Sequence, residues 1–296
     1  MNLRERGEDR LIADWIAHLQ TRPDVIVGPG DDCAVVRVLG AKNLLLLKTD
    51  CVVEGVHFRP NESPSAVGRK AMARTLSDFA AMSGLPQWAL ITLIAPANLE
   101  ADWSRQLYRG IKRIADRFEV AIVGGETSST KGPAVVSVSA VGTVEKDRCI
   151  SRSGGKVGDA LYVTGKLGDS LRKRHLTFIP RIAEARWLTG NFQLHALMDL
   201  SDGLGADLPR LAKASKVGFE IDEKALPRSR GCSVEQAIND GEDYELLFAL
   251  SPNDSEALEK NWRKKFSRLP VTRIGSLIPH YAFRVPHFFR GYVHFT

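Results

Sequence analysis

The chain reads as an α/β (α+β) protein of two domains, and three observations predict this. Its 296 residues, 44% of them hydrophobic, are more than one core usually organises, since domains run ~100–200 residues. Strand-length apolar runs and helix-period segments are mixed in both halves, the pattern of sheets covered by helices. The most polar, glycine-rich break, EKDRCISRSGGKVG at 145–158, falls near the middle. The domains are accordingly placed at 1–148 and 149–296.

In chain order, strand-like runs fall at 33–38, 43–48, 88–95, 134–144, 159–164, 218–222, 244–250 and 271–278. Segment 134–144, AVVSVSAVGTV, alternates apolar and small polar residues as a half-buried strand does. Helical periodicity is clearest at 100–118, where Trp103, Leu107, Ile111, Ile114 and Phe118 recur at three- and four-residue steps. Further helices are predicted over 65–83 and from Leu204 to Ala214, the latter on Leu204, Leu208 and Leu211. No internal repeat or long linker interrupts this order.

Composition excludes several classes. Gly 25 and Pro 14 carry no collagen-like or low-complexity bias. The N-terminal MNLRERGEDR lacks the apolar core of a secretory signal. The longest charge-free apolar stretch, Leu85 to Leu99, is short and proline-broken, whereas a membrane span needs ~20 residues. Cys33, Cys51, Cys149 and Cys232 are widely spaced with no C-x-x-C, which predicts reduced thiols in a cytoplasmic protein rather than a disulfide scaffold or zinc site. The +6 net charge suits anionic metabolites or nucleic acid and does not choose between them. Its distribution is more informative: basic residues gather at 172–174 and 263–268, while the glycine-rich segments hold mostly Asp and Glu.

Those acidic clusters are Gly28-Pro-Gly-Asp31-Asp32, Lys48-Thr49-Asp50, Leu76-Ser-Asp78-Phe, Gly124-Gly125-Glu126-Thr127 and Asp199-Leu-Ser201-Asp202-Gly203. Carboxylates and hydroxyls are hard ligands suited to Mg²⁺, which commonly joins protein carboxylates to substrate phosphates. Glycine lets backbone N–H groups approach a phosphate. Any one cluster taken alone is better explained by turn chemistry, and Asp78 is explained as well by an i,i+4 ion pair with Arg74. Their repetition favours a polynuclear magnesium site. No P-loop, G-x-G-x-x-G, H-E-x-x-H or G-x-S-x-G motif occurs.

Read together and in order, GPGDDCAVV (28–36), KTDCVVEGVHF (48–58), GRKAMARTLSDFAAMSGLP (68–86), IVGGETS (122–128), SRSGGKVGDALYVTGKLGDS (151–170), MDLSDGL (198–204), DGEDYELLF (240–248) and the closing GYVHF (291–295) resemble the thiamine-monophosphate kinase family of the aminoimidazole-ribonucleotide synthetase-like superfamily. The resemblance implies transfer of the ATP γ-phosphoryl group to thiamine monophosphate, with several Mg²⁺ ions. It also implies a homodimer whose N-terminal sheets pair into a barrel, with nucleotide in a cleft shared with the C-terminal domain and no membrane or nucleic-acid partner. By resemblance Asp32, Thr49, Asp50, Asp78, Glu126, Asp199 and Asp202 would hold magnesium; Gly124, Gly125, Glu126, Arg152 and Ser201 would face nucleotide; His57, Glu242 and a C-terminal aromatic, Phe289, would touch thiamine.

The implied reaction needs no general base, because the acceptor phosphate has a second pKa of about 6 and is already ionised near neutrality. Bringing one polyanion onto another is the difficulty, so positioning and charge neutralisation would carry catalysis. Three departures from the family pattern stand out. Lys48 replaces a hydroxyl residue and could serve as a fixed charge in place of one ion, which predicts fewer bound magnesium ions. Glu126 replaces Asp, and the segment after Ser170 is shorter by roughly a helix than is usual. Two other readings remain: another ATP-dependent enzyme of the superfamily acting on a different phosphate or amide, and a degenerate dimeric nucleotide-binding protein. Within the first, selenophosphate synthetases use a reactive N-terminal Cys, and the first here is Cys33; hydrogenase-maturation relatives end in cysteine, and this chain ends in Thr296.

Overall fold

The structure, a computed structural model, describes residues 2–280 and 289–292. Two sheets organise it. The first is built from β1 (Val25–Val27), β2 (Ala34–Val36), β3 (Leu44–Val53), β4 (Leu85–Pro96), β5 (Ala121–Thr130) and β6 (Val135–Val144) in the order β1-β2-β3-β6-β4-β5. Neighbours are antiparallel except β4 and β5, which run parallel. The second contains β7 (Ala160–Thr164), β8 (Leu194–Asp199), β9 (Gly218–Ile221), β10 (Leu246–Leu250) and β11 (Val271–Ile278), all antiparallel, in the order β8-β10-β7-β11-β9.

The helices are α1 (Leu3–Arg6), α2 (Glu8–Ile16), α3 (Pro64–Ala81), α4 (Ala101–Arg117), α5 (Ile182–Asn191), α6 (Leu204–Ser215), α7 (Val234–Asn239) and α8 (Ser255–Lys265). Helix α3 is central: it packs on β3 and β6, crosses α4 and also meets α5 and β8 of the second half. Its start is favoured by Pro64 in the first turn. The α3–α4 crossing is close because both helices carry glycine there. A Cβ on Gly68 would stand 2.0 Å from the Leu107 carbonyl oxygen, and one on Gly110 would stand 1.9 Å from that of Ser65. Most of α3 is consequently buried, including Lys70, Thr75, Ser77 and Asp78, and burial of four polar side chains on one helix demands partners.

The alternation expected for 134–144 holds, with every second residue of β6 buried. Elsewhere the elements depart from expectation. Strand β3 continues to Val53 rather than ending at Lys48, and Gly124-Gly125-Glu126-Thr127 lies inside β5 rather than in a turn. A Cβ on Gly125 would meet the Ile91 carbonyl oxygen at 1.8 Å, so close pairing with β4 requires that glycine. The segment after Ser170 folds as two short 3₁₀ turns, Ser170–Arg172 and Arg174–Leu176, before α5.

Candidate active site

Where α3 meets the ends of β2 and β8, the carboxylates of Asp32, Asp78 and Asp199 come together, with one oxygen from each within 4.8 Å of the others and all three residues buried. Each arrives from a different element: Asp32 just before β2, Asp78 from the last turns of α3, Asp199 from the end of β8. The Ser77 hydroxyl donates to Asp199 Oδ2. Asp50 joins from β3, on the same side of that strand as Lys48. The donors are all hard oxygens, and ligands to a magnesium ion at ~2.1 Å lie up to ~4.2 Å apart, so a small closure of the cluster fits a divalent ion.

Three cations of the chain compensate part of this charge. Lys48 Nζ lies 3.0 Å from Asp78 Oδ1 and 3.9 Å from Asp50 Oδ1. Arg152 grips Asp32 with both arms of its fork, at 2.5 and 3.2 Å. Arg74 Nε stands 3.7 Å from Asp50 Oδ2, and this replaces the Arg74–Asp78 helical pair. The compensation is incomplete. Burial first, then repulsion from Asp32, lifts the Asp199 carboxyl to about 7. Burial drives Asp78 well above the usual carboxylate range even though Lys48 opposes it. For Asp50 burial also pushes upward, but Lys48 and Arg74 outweigh it and the group is held low. A cluster that retains protons near neutrality is short of positive charge, as expected of a cation site.

Beside it opens a cleft of about 270 Å³ whose walls include His57, Arg74, Ser201, Glu242, Tyr244 and Tyr292. Glu242 is held by Lys70, fully buried on α3, at 2.6 Å, and by His175 Nδ1 at 2.9 Å; the same ammonium donates to the His57 carbonyl oxygen. Burial would raise the Glu242 carboxyl, but the His175 hydrogen bond and the Lys70 charge prevail and bring it to about 2. The cleft thus presents an ionised carboxylate, suited to a cationic or amino-bearing ring.

The structure sorts the expected site residues. Asp32, Asp50, Asp78 and Asp199 meet at one locus, and His57, Ser201 and Glu242 share the cleft. Asp202 is in the cleft wall but its carboxylate is taken by Arg210, while its backbone N–H donates to Asp207 Oδ2 at 3.0 Å; it stands apart from the triad. Thr49 faces the other side of β3, exposed, its hydroxyl 2.9 Å from that of Ser139. Gly124, Gly125 and Glu126 lie on β5, separated from β3 by β6 and β4. At ~4.8 Å per strand that is about 14 Å, beyond reach of the same chain's Asp50. Phe289 does not line the cleft. It is 8% exposed and packs on Phe219 with ring centroids 5.5 Å apart; among the described residues Tyr292 is the C-terminal aromatic lining the cleft. Residues 293–295 of the closing motif lie outside the described residues. Lys70, Arg74 and His175 were missed; a lysine on the otherwise apolar stripe of Val67, Ala71 and Met72 was the available signal.

Comparison with known proteins accords with this geometry. The family "AIR synthase related protein, N-terminal domain" matches residues 30–144, and its C-terminal counterpart matches residues 137–279. The thiamine-monophosphate kinase of Rhodopirellula baltica is 38% identical over 286 residues, covering 89% of this chain and 88% of that protein. That of Escherichia coli K12 is 35% identical, covering 86% and 85%. The chain belongs to the thiamine-monophosphate kinase family. Its fold superposes on a ThiL structure complexed with AMPPCP and TMP with a TM-score of 0.85 at 34% identity, covering 99% of each chain. It also superposes on the Aquifex aeolicus thiamine monophosphate kinase with a TM-score of 0.78, covering 95% and 96%. The hydrogenase maturation protein HypE of E. coli, at 20% identity and a TM-score of 0.69, shares the fold. Among the described residues no helix is long and apolar enough to cross a membrane.

Proposed function

We propose that the chain phosphorylates thiamine monophosphate to thiamine diphosphate with ATP as donor. The observation that carries this reading is the buried Asp32–Asp78–Asp199 cluster, linked through Asp50 and Arg74 to a cleft lined by the ionised Glu242, in a chain whose relatives bear that activity in their name.

Asp32, Asp50, Asp78 and Asp199 would hold Mg²⁺, which when bound neutralises the polyphosphate as charge moves between the two phosphoryl groups. Arg152 fixes the Asp32 carboxylate, and Ser77 that of Asp199, so each presents its remaining oxygen lone pairs in a set direction. Glu242, oriented by Lys70 and His175, attracts the cationic thiamine body and points its phosphate toward Asp50. His57 and Tyr292 close the organic end. No side chain has to remove a proton from the acceptor, whose phosphate oxygen is already ionised.

A homodimer completes the reading. The outer face of the first sheet exposes Leu47 at 39%, Trp88 at 43%, Leu90 at 47% and Val123 at 58%, an apolar surface that a second copy would cover. Thr49, Gly124, Gly125 and Glu126 lie on that sheet's exposed side or edge, so they would serve nucleotide and metal across the dimer rather than within one chain. The four thiols, none in a disulfide, support a reducing, cytoplasmic setting. The substrates are small anions, and no nucleic-acid role is proposed.

The test mixes protein, ATP, Mg²⁺ and thiamine monophosphate and follows thiamine diphosphate by chromatography. Product that vanishes in Asp78→Ala supports the reading. ATP hydrolysis without thiamine diphosphate would overturn it in favour of another substrate, and nucleotide binding without turnover in favour of a degenerate protein.

A further inference from the structure

We propose that Arg74 receives the phosphate of thiamine monophosphate and thereby sets a preference for the phosphorylated substrate over thiamine itself. The proposal rests on the thiamine reading above and adds to it a residue on α3.

Arg74 stands between the two halves of the site. It lines the cleft together with Glu242 and Tyr244, and its Nε is 3.7 Å from Asp50 Oδ2, so one guanidinium borders both the organic pocket and the metal carboxylates. Its side chain is 15% exposed. Nη1 donates to the Cys51 carbonyl oxygen at 3.1 Å, which anchors one arm of the fork against β3. Nε, by contrast, is buried without any hydrogen-bond partner, since 3.7 Å to Asp50 is too long for a hydrogen bond.

A buried, charged donor without an acceptor is rare and costly, and it signals a group awaiting a ligand. The ligand chemistry follows from the donor. A guanidinium whose Nε–H lacks an acceptor matches a phosphate oxygen, which it binds with a charge-assisted hydrogen bond. A second orphan atom on the same cleft has the opposite demand: Glu62 Oε2 is buried without a donor. One cleft with an unfilled cationic donor and an unfilled carboxylate acceptor fits a dipolar ligand, with a phosphate on one side and cationic or amino groups on the other.

The position has a consequence for orientation. A phosphate on Arg74 lies against Asp50, where the transferred group must arrive, while the rest of the molecule extends toward Glu242. Arg74 would thus neutralise the acceptor with a fixed cation on the side of the site that faces the cleft. Thiamine, which lacks the phosphate, would keep its contacts with Glu242 and lose those with Arg74.

The test is calorimetric titration of thiamine monophosphate and of thiamine, in Mg²⁺ without nucleotide, into wild type, Arg74→Met and Arg74→Lys. Wild type is expected to prefer thiamine monophosphate. Arg74→Met should weaken thiamine monophosphate about tenfold or more while thiamine binding stays within about twofold, the size set by loss of a charge-assisted hydrogen bond. Arg74→Lys should fall between. Unchanged thiamine monophosphate affinity in Arg74→Met, equal weakening of both ligands, or a wild type that does not distinguish them would overturn the role of Arg74 alone. A wild type that binds neither ligand overturns the thiamine reading and this proposal with it.

Discussion

Lys48 Nζ on β3 lies 3.0 Å from Asp78 Oδ1 on α3, so an ammonium of the chain itself occupies part of the space between carboxylates that would otherwise face a metal. Burial disfavours that charge, yet Asp78 and Asp50 outweigh burial and raise the lysine above its usual value. An ammonium donates hydrogen bonds and cannot ligate a cation. Lys48→Thr is therefore expected to bind one more divalent ion per protomer, measured as Mn²⁺ in equilibrium dialysis with a non-hydrolysable ATP analogue. Identical stoichiometry in the two proteins would show that Lys48 displaces nothing.

The same cluster predicts how the metal-free protein responds to pH. Asp199 is raised to about 7 and Asp78 is raised well above the ordinary carboxylate range, both chiefly by burial. An acid whose folded pKa exceeds its unfolded one binds more protons when folded, so its stabilising contribution is present at low pH and is lost as pH rises through the folded value. In EDTA the melting temperature should fall between pH 5.5 and pH 8. Magnesium should raise it more at pH 8, where protons compete less for the carboxylates. A metal-free melting temperature that rises over this interval would contradict the assignment.

What could be read from the sequence followed the strength of local patterns. Helix α4 carries a long periodic stripe and β6 alternates cleanly, so these elements were legible, whereas α3 is buried on nearly every residue from Val67 to Ala81 and was legible from its length rather than from a stripe. Strand β8, LHALMD, is buried on nearly every residue, and a short run without alternation cannot be told from a helix segment. Strand β5 is exposed along almost its whole length, so its polar GGETSST read as a turn. The clustering of Asp32, Asp78 and Asp199 was foreshadowed because each sits in a recognisable motif. The Lys70–Glu242–His175 cluster was not, since it joins α3, the 3₁₀ turns and the segment before β10 through contacts of high sequence separation. Phe289 and Tyr292 differ by one turn of chain, and only packing decides which ring meets the cleft.

That buried cluster yields a stability prediction. Removing the ammonium in Lys70→Met leaves Glu242 buried without its charge partner, at a cost of about 3–5 kcal/mol, read from the shift in urea midpoint. Burial pulls Lys70 below its usual value despite Glu242, whereas Glu242 is held at about 2; the two shifts oppose each other, so the pair is worth less than either suggests. The double variant Lys70→Met/Glu242→Gln should recover much of the loss. Glu242 itself, with a depressed folded pKa, contributes stability above its unfolded value that disappears as pH falls toward 2. Additive costs in the double variant would mean that the two side chains act independently.

The last prediction concerns Glu126, which the sheet order keeps from the Asp50 side of its own chain. Should the dimer bring β5 of one copy to the metal carboxylates of the other, Asp78→Ala and Glu126→Ala would each be inactive as homodimers. Co-expressed, they would form heterodimers with one site damaged twice and one site intact. Random pairing at equal expression makes half the dimers mixed, so activity should return to about a quarter of wild type per protomer, as two-fold symmetry requires. Sites assembled within single chains cannot complement: each chain would carry its own defect into its own site, and the mixture would remain as inactive as its parents. The glutamate also has a longer reach than an aspartate, so Glu126→Asp in the same assay measures whether the extra methylene is needed to span the interface. Loss of turnover in that variant, with dimerisation intact by sedimentation, places the Glu126 carboxylate at the partner's site rather than in the sheet contact.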